Sequence, residues 1–348
     1  MSELIKISSN LVAGIGSLHK IAQYLDDLKY PRSILILTGE NTYKIAGKIV
    51  YDNLNSNGYD VNIKILDMKG YLSQVKQLAL DLRNFSKSVL VAVGGGSIAD
   101  IAKYVSNEIN SLLVIIPTTL SSDAFSTSYS IFWNNNEKQA IKTKSPNLIV
   151  GDYDILKNQP KRFLGAGIGD MLSKLTAIPD WRLAFWFAEE QYNDFAAKIA
   201  MAETKLLIRR IDDIAKANYI GIKTLFHAEV LDGYLMEISG TTRVAAGAEH
   251  LISFVLENMS DNGLHGEYCG IGTILISYLQ RGYNYSKKIT KLLEKVNAPT
   301  TANQLDLTKS QLIKALTTAH KMRNWYTILG NGLSENSAER LLRYTHII

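Results

Sequence analysis

An aspartate and two histidines lie far apart along the chain but share one local setting, with glycine on one side and an apolar helical pattern on the other. Asp170 follows Gly165-Ala-Gly-Ile-Gly, His250 ends Gly247-Ala-Glu-His, and His265 sits in Gly263-Leu-His-Gly-Glu. A carboxylate with two imidazoles can hold a divalent cation through three protein ligands and leave positions open for substrate. Spacing alone leaves this open, because a lone histidine is more often an ordinary structural residue. Of the six histidines, His19, His320 and His346 fall on helical patterns near the chain ends or the surface, and His227 on a helix start. Cys269 lies one turn past His265, and a buried, inert thiol is its simpler reading.

A second stretch with chemistry in it is Leu90-Val-Ala-Val-Gly-Gly-Gly-Ser-Ile-Ala-Asp-Ile-Ala-Lys103. The β-branched run from Val89 to Val93 suits a strand buried on both faces. Glycines follow, then Ser97 where a helix begins, with Asp100 in its first turn. A strand, a glycine turn and a helix start form an anion site, because bare backbone admits a phosphate and the unpaired N–H groups of the helix end point at it. A tight turn without a ligand fits the same residues equally well.

The elements that must position these residues change character along the chain. In the first half, strands over Asn10–Ala13, Ser33–Thr38, Asp60–Leu66, Val89–Val93, Ser111–Ile116 and Asn147–Val150 alternate with helical patterns over Gly16–Leu28, Tyr43–Leu54 and Tyr71–Phe85. Trp133–Lys144 reads as a polar hairpin. Repeated βα units predict a parallel sheet covered by helices, with ligands at the carboxyl ends of its strands. The turns after Thr38, Val93 and Ile116 then gather on one rim. From about Gly165 onward the pattern is helical, over Met171–Ile178, Asp194–Ala217, Phe226–Ser239, His250–Leu256, Ile271–Leu279, Ser286–Lys295, Lys309–His320 and Ala338–Arg343. An α/β N-terminal domain with a parallel sheet, residues 1–156, and an all-α C-terminal domain, residues 157–348, are expected.

A length of 348 residues suits two domains. No apolar run approaches the roughly 18 residues of a membrane span, and Met1-Ser-Glu-Leu-Ile-Lys lacks the pattern of a signal peptide. The single cysteine excludes an internal disulfide framework and points to a reducing compartment, the cytoplasm. A net charge of +5 is spread out; the densest basic cluster, Lys205–Arg210, sits beside Asp212 and Asp213, so a solvated helix face is favoured over a nucleic-acid patch.

The ordered set Gly94–Lys103, Pro117-Thr-Thr-Leu-Ser-Ser-Asp-Ala124, Ala166-Gly-Ile-Gly-Asp-Met-Leu-Ser-Lys-Leu-Thr-Ala-Ile-Pro-Asp-Trp181, Gly247–His250 and His265-Gly-Glu267 resembles the metal-dependent polyol dehydrogenases. That superfamily includes glycerol dehydrogenases, glycerol-1-phosphate dehydrogenases and 3-dehydroquinate synthases, and the block around Asp170 is most similar to the glycerol-1-phosphate branch. The resemblance covers nearly the whole chain. It implies a Rossmann-like, dehydroquinate synthase-like first domain, NAD(P) as cofactor, one divalent metal (zinc first, iron or nickel otherwise), a small polyol or polyol phosphate as substrate, and a homo-oligomer. By the same resemblance Asp170, His250 and His265 match the metal ligands, and Gly95, Gly96, Ser97 and Asp100 the pyrophosphate turn. Thr118, Thr119, Ser121 and Thr127 match contacts to the nicotinamide half, and Asp123 a carboxylate that touches substrate.

This chain also departs from the pattern. Ser122-Asp123-Ala124 is similar to the glycerol dehydrogenase version, where the glycerol-1-phosphate enzymes commonly carry His and Gly at the outer two positions. Phe254 stands where those enzymes have a second histidine one turn after the first. Gly39 replaces the aspartate with which NAD-preferring relatives bind the adenosine ribose; it leaves room for a 2′-phosphate that Lys44 would neighbour, so NADP(H) is expected to be accepted. Arg243 and Lys174 are candidate phosphate partners, with ordinary structural charges as the alternative. The rival readings are a sugar-phosphate cyclase like 3-dehydroquinate synthase, against which Asp170 argues because those enzymes use Glu there, a glycerol dehydrogenase acting on the unphosphorylated polyol, and a non-catalytic binding or assembly protein.

Overall fold

The computed structural model describes residues 10–68, 70–134 and 137–348. Two compact units divide between Gln159 and Pro160. The first contains strands β1 (Asn10–Gly14), β2 (Ser33–Thr38), β3 (Asp60–Ile65), β4 (Val89–Gly94), β5 (Leu112–Pro117) and β8 (Leu148–Asp152) in one sheet of order β1-β8-β5-β4-β2-β3. All its pairings are parallel. The central strands earn that position by composition. Every residue of Val89–Val93 is buried, as are Ile34–Leu37 and Leu113–Ile116, and unbroken β-branched and leucine runs have no polar face to expose. The edge strand β3 alternates instead and carries Asp60 and Lys64 outward, which discourages further strand pairing.

Register decides where the site forms. Thr38 pairs with Val93, and Val93 with Ile116, so the chain leaves three adjacent strands at one rung. The Thr38 hydroxyl donates to the Val93 carbonyl at 2.8 Å, tying two of these ends together. The expected polar hairpin exists as β6 (Tyr129–Asn134) and β7 (Glu137–Lys142). It starts four residues earlier than its polar sequence suggests, because buried Ser128, Ser130 and Phe132 face the protein; its tip, Asn135 and Asn136, lies outside the described residues.

The second unit is helical from Lys161 to Tyr344. Some helices run longer than the sequence periodicity indicates, Phe226–Ser239 being part of a helix that starts at Tyr219. The expected Asp194–Ala217 divides into Asp194–Arg209 and Ile211–Ala215, and the expected Met171–Ile178 is interrupted at Ser173 between Lys161–Leu172 and Lys174–Ala188. Helix Lys161–Leu172 crosses helix His265–Arg281 at glycine on both sides. A methyl group at Gly266 would run into the carbonyl of Ala166, and one at Gly169 into the carbonyl of Gly266. Only residues without Cβ allow backbones this near.

Charge is buried nearby. Lys174, 1 % exposed, pairs with Asp232 at 2.6 Å and Glu203 at 3.7 Å. One cation faces two carboxylates, and burial pushes Glu203 up to about 8 against the pull of Lys174. Breaking such a pair on one side typically costs about 3–5 kcal/mol because it strands a charge.

Two measurements check this account. Gly266→Ala is expected to destabilise the second unit by about 1–3 kcal/mol, the range for overpacking against backbone, seen as a lower Tm; an unchanged Tm would show that the helices separate freely. Glu203 stays protonated in the fold while its unfolded counterpart ionises above pH 4.5, so the folded chain binds the extra proton and stability falls as pH rises from there to about 8. Glu203→Gln should flatten that slope, gaining on the wild type in melts near the upper end of the window.

Candidate active site

In the first unit the rim is built by β4, the glycine turn and helix Gly96–Glu108. The glycines let the following loop lie against the turn. A Cβ at Gly94 would meet Ile98 at 2.6 Å, one at Gly95 the Thr119 hydroxyl at 3.0 Å, and one at Gly96 the Ala124 methyl at 3.3 Å. Ser97 is exposed at the helix start, where the first N–H groups lack partners within the helix. The Thr118 amide donates to the Gly94 carbonyl at 3.1 Å. Its buried hydroxyl has no hydrogen-bond partner among the described residues, which suits a polar ligand at the rim.

Lys103, wholly buried, holds the loop in place. It pairs with Asp100 at 2.9 Å and donates to the Ala124 carbonyl at 2.7 Å, the Thr127 hydroxyl at 3.4 Å and the Tyr129 carbonyl. Asp100 and Thr127, expected to touch cofactor, are therefore inward residues that support the loop. Thr119, Ser121 and Asp123 are half-buried on it. Gly39 ends β2, with its amide donating to the Thr42 hydroxyl at 2.9 Å. A methyl there would meet Thr42 Oγ1 at 3.4 Å and Ile98 at 4.0 Å, ordinary contact, so packing does not demand glycine. Lys44 pairs with Glu40 at 2.8 Å in the open.

In the second unit, Asp170, His250, His265 and Cys269 converge, each offering a ligand atom within 4.8 Å of the others. Asp170 comes from helix Lys161–Leu172, His250 from helix Ala248–Glu257, and His265 and Cys269 from helix His265–Arg281. The Nε2 atom of His250 lies 3.3 Å from Asp170 Oδ1, and that of His265 3.8 Å away. The other ring nitrogens face outer carboxylates. His265 Nδ1 is 2.6 Å from Glu257 and His250 Nδ1 is 3.1 Å from Glu249. Glu249 also accepts from the Gly247 amide at 2.5 Å and the Thr176 hydroxyl at 2.8 Å. A carboxylate on Nδ1–H fixes the tautomer that leaves Nε2 a lone pair for a cation. This carboxylate, imidazole and thiol set suits a divalent transition metal.

Without a cation the four groups shift one another: burial would lower His250 and His265, and Cys269 with the neighbouring carboxylates raises both well above their ordinary value. Burial alone would raise Asp170, and the two imidazoles together with Lys174 reverse that and hold it below its ordinary range. Burial would likewise raise the Cys269 thiol, and His250 and His265 bring it down. His265, with 32 % of its side chain exposed, opens the cluster to solvent, whereas Asp170 and His250 are below a tenth.

Sequence reasoning missed the outer carboxylates, and Cys269, buried as expected, lies within the cluster. The only signals were Glu249 adjoining His250 and the four-residue spacing from His265 to Cys269. Lys174 and Arg243, weighed as phosphate partners, are engaged elsewhere. Lys174 serves the buried pair above, and Arg243, 2 % exposed, reaches Glu190 at 3.1 Å and the carbonyls of Asp180 and Tyr326. Another basic group on this side is Arg323, whose guanidinium lies 5.5 Å from the Phe254 ring centroid. Phe254 in turn stacks on His265, 6.1 Å between centroids.

Comparison with known proteins completes the picture. The iron-containing alcohol dehydrogenase family model matches residues 12–160. Full-length relatives include the glycerol-1-phosphate dehydrogenase (NAD(P)+) of Thermococcus sibiricus, 35 % identical over 99 % of this chain and 98 % of its own. That of Sulfolobus acidocaldarius is 33 % identical over 99 % and 98 %. Among solved structures, glycerol dehydrogenase from Schizosaccharomyces pombe aligns with TM-score 0.80 at 22 % identity over 99 % of this chain and 91 % of its own. A probable glycerol dehydrogenase from Sinorhizobium meliloti gives 0.81 at 20 % over the whole of both. These two share the fold, an α/β unit with a parallel sheet followed by helices. On identity and coverage together, the chain belongs to the glycerol-1-phosphate dehydrogenase family.

Proposed function

We propose that this protein is an NAD(P)-dependent, metal-dependent dehydrogenase that interconverts sn-glycerol 1-phosphate and dihydroxyacetone phosphate. The observation that carries the reading is the convergence of Asp170, His250 and His265, with outer carboxylates on both imidazoles, in a chain of this family. Asp170, His250 and His265 would hold a divalent cation, which would supply a Lewis acid for the substrate hydroxyl or the ketone carbonyl. The residues of the chain do the rest. Glu249 and Glu257 hold the imidazoles in register, and the exposed edge at His265 admits substrate. On the first unit, the amides of Gly95, Gly96 and Ser97 would hold the cofactor pyrophosphate, with Thr118, Thr119 and Ser121 toward the nicotinamide and Asp123 toward the substrate. Asp100 and Thr127 contribute by keeping that loop in place. These placements support the division of labour assigned to residues 1–156 and 157–348, cofactor to the first and metal and substrate to the second. A cytoplasmic homo-oligomer fits the lone cysteine and the family.

Arg323 supports the phosphorylated substrate, since a guanidinium is the side chain best matched to phosphate oxygens and this one sits over the ring that stacks on His265. The open position at Gly39 supports acceptance of NADP(H).

Chelation followed by metal add-back should abolish and restore ketone reduction, and His265→Ala should lose both metal and activity with its helical content retained; an active variant would exclude His265 as a ligand. Arg323→Gln is expected to raise KM for dihydroxyacetone phosphate by about 10–100-fold, as loss of a charged hydrogen bond of 1.5–3 kcal/mol does, while leaving unphosphorylated dihydroxyacetone unaffected. Equal effects on both would sink the phosphate role. In a comparison of kcat/KM for the two nicotinamide cofactors, NADPH should be used at a rate comparable to NADH or better.

A further inference from the structure

Cys269 is the member of the cluster that neither the resemblance nor the proposed function uses. It is fully buried and lies one helical turn after His265, so both side chains project from one face of the helix. Its Sγ is 3.5 Å from His265 Nε2, and it falls within the same 4.8 Å set as Asp170 and His250.

The spacing of these atoms suits donors that share one cation. Hydrogen bonds between charged partners run at about 2.7–2.9 Å, and the outer contact from His265 to Glu257, at 2.6 Å, is of that kind. The inner contacts are longer, 3.3 Å from His250 Nε2 to Asp170, 3.8 Å from His265 Nε2 to Asp170 and 3.5 Å from His265 Nε2 to sulfur. Nitrogen and oxygen donors on one tetrahedral zinc, at bond lengths of about 2.0–2.1 Å, stand about 3.3 Å apart, and a nitrogen and a sulfur bound at about 2.3 Å stand about 3.5 Å apart. Two of the inner contacts match ligand spacing, and all four donor atoms lie within 4.8 Å of one another, close enough to gather round one cation.

We infer that Cys269 is a fourth metal ligand, so that the resting centre is an Asp-His-His-Cys site of a kind that suits zinc. The inference rests on the metal reading proposed above and adds a donor to it. On coordination the S–H bond gives way to a metal–sulfur bond and the proton leaves to solvent, with no change of oxidation state. A thiolate donor favours zinc over harder cations such as magnesium or manganese, and zinc tolerates a fifth donor when substrate arrives. Burial among helices keeps the thiol from solvent.

The test uses the full-length, zinc-loaded protein and X-ray absorption at the zinc edge. The wild type should show one sulfur scatterer at about 2.3 Å beside a nitrogen and oxygen shell at about 2.0–2.1 Å. Cys269→Ser and the better-packed Cys269→Val should both lose it. Cobalt(II) substitution should give a sulfur-to-metal charge-transfer band in the near ultraviolet that both variants lack. Zinc affinity should fall in the variants by at least the roughly 100-fold that an outer partner alone can cost. Stoichiometric zinc with only nitrogen and oxygen neighbours in the wild type overturns the inference while leaving the proposed activity standing. A folded wild type that binds no divalent metal overturns both. The wild-type spectrum decides the matter even if neither variant folds.

Discussion

The cluster of Asp170, His250, His265 and Cys269 depends on one close contact, the crossing of helix Lys161–Leu172 with helix His265–Arg281 at Gly169 and Gly266. Each of these glycines adjoins a member of the cluster, Asp170 in one helix and His265 in the other. Side chains of ordinary size at the crossing would hold the helices apart at the usual spacing and move the carboxylate out of reach of the imidazole. The glycines flanking Asp170 and His265, which in the sequence look only permissive, are what turns two distant motifs into one site. Helix Ala248–Glu257 then adds His250, anchored by a buried Asp180 carboxylate that accepts from the Ala248 amide at 2.9 Å.

Buried charge plays a parallel part in both units. Lys103 holds the loop that carries Thr119, Ser121 and Asp123 by donating to its carbonyls, and Lys174 ties Asp232 and Glu203 to the helix that follows Asp170. A buried ammonium is costly unless every proton finds an acceptor, so each lysine specifies its surroundings tightly. That serves a site whose groups must be held to within a fraction of an ångström. The same logic extends outward from the imidazoles, where Glu249 and Glu257 leave His250 and His265 one orientation each.

Much of the first unit was legible from local pattern. Ser33–Thr38 is a strand over the residues its composition indicates, because an unbroken run of six residues of this kind has nowhere to go but the middle of a parallel sheet. The glycine turn after Val93 and the rim shared with Thr38 and Ile116 also followed, since βα alternation forces parallel neighbours. The hairpin start at Tyr129 did not, because its alternation is carried by Ser128 and Ser130, polar residues buried by hydrogen bonds to distant backbone such as the Asp100 carbonyl. Among site residues, Asp100 and Thr127 were assigned outward roles by motif, and only the position of Lys103 beneath the loop shows them turned inward. Lys174 and Arg243 looked like available cations for the same reason. Their partners, Asp232 and Glu190, are tens of residues away, and no periodicity announces them.

By itself, then, the amino-acid sequence determined the order of the elements, the parallel sheet, the helical second half and the motifs that carry the family resemblance. All of these depend on local hydrophobic period, on glycine, or on short contiguous strings. The tertiary structure alone decided which charged groups are buried in pairs, which carboxylate stands behind which imidazole, and that the Cys269 sulfur joins Asp170, His250 and His265. Those outcomes depend on how three helices approach one another. That approach is set by backbone contacts between glycines nearly a hundred residues apart, a distance over which sequence pattern carries no geometry.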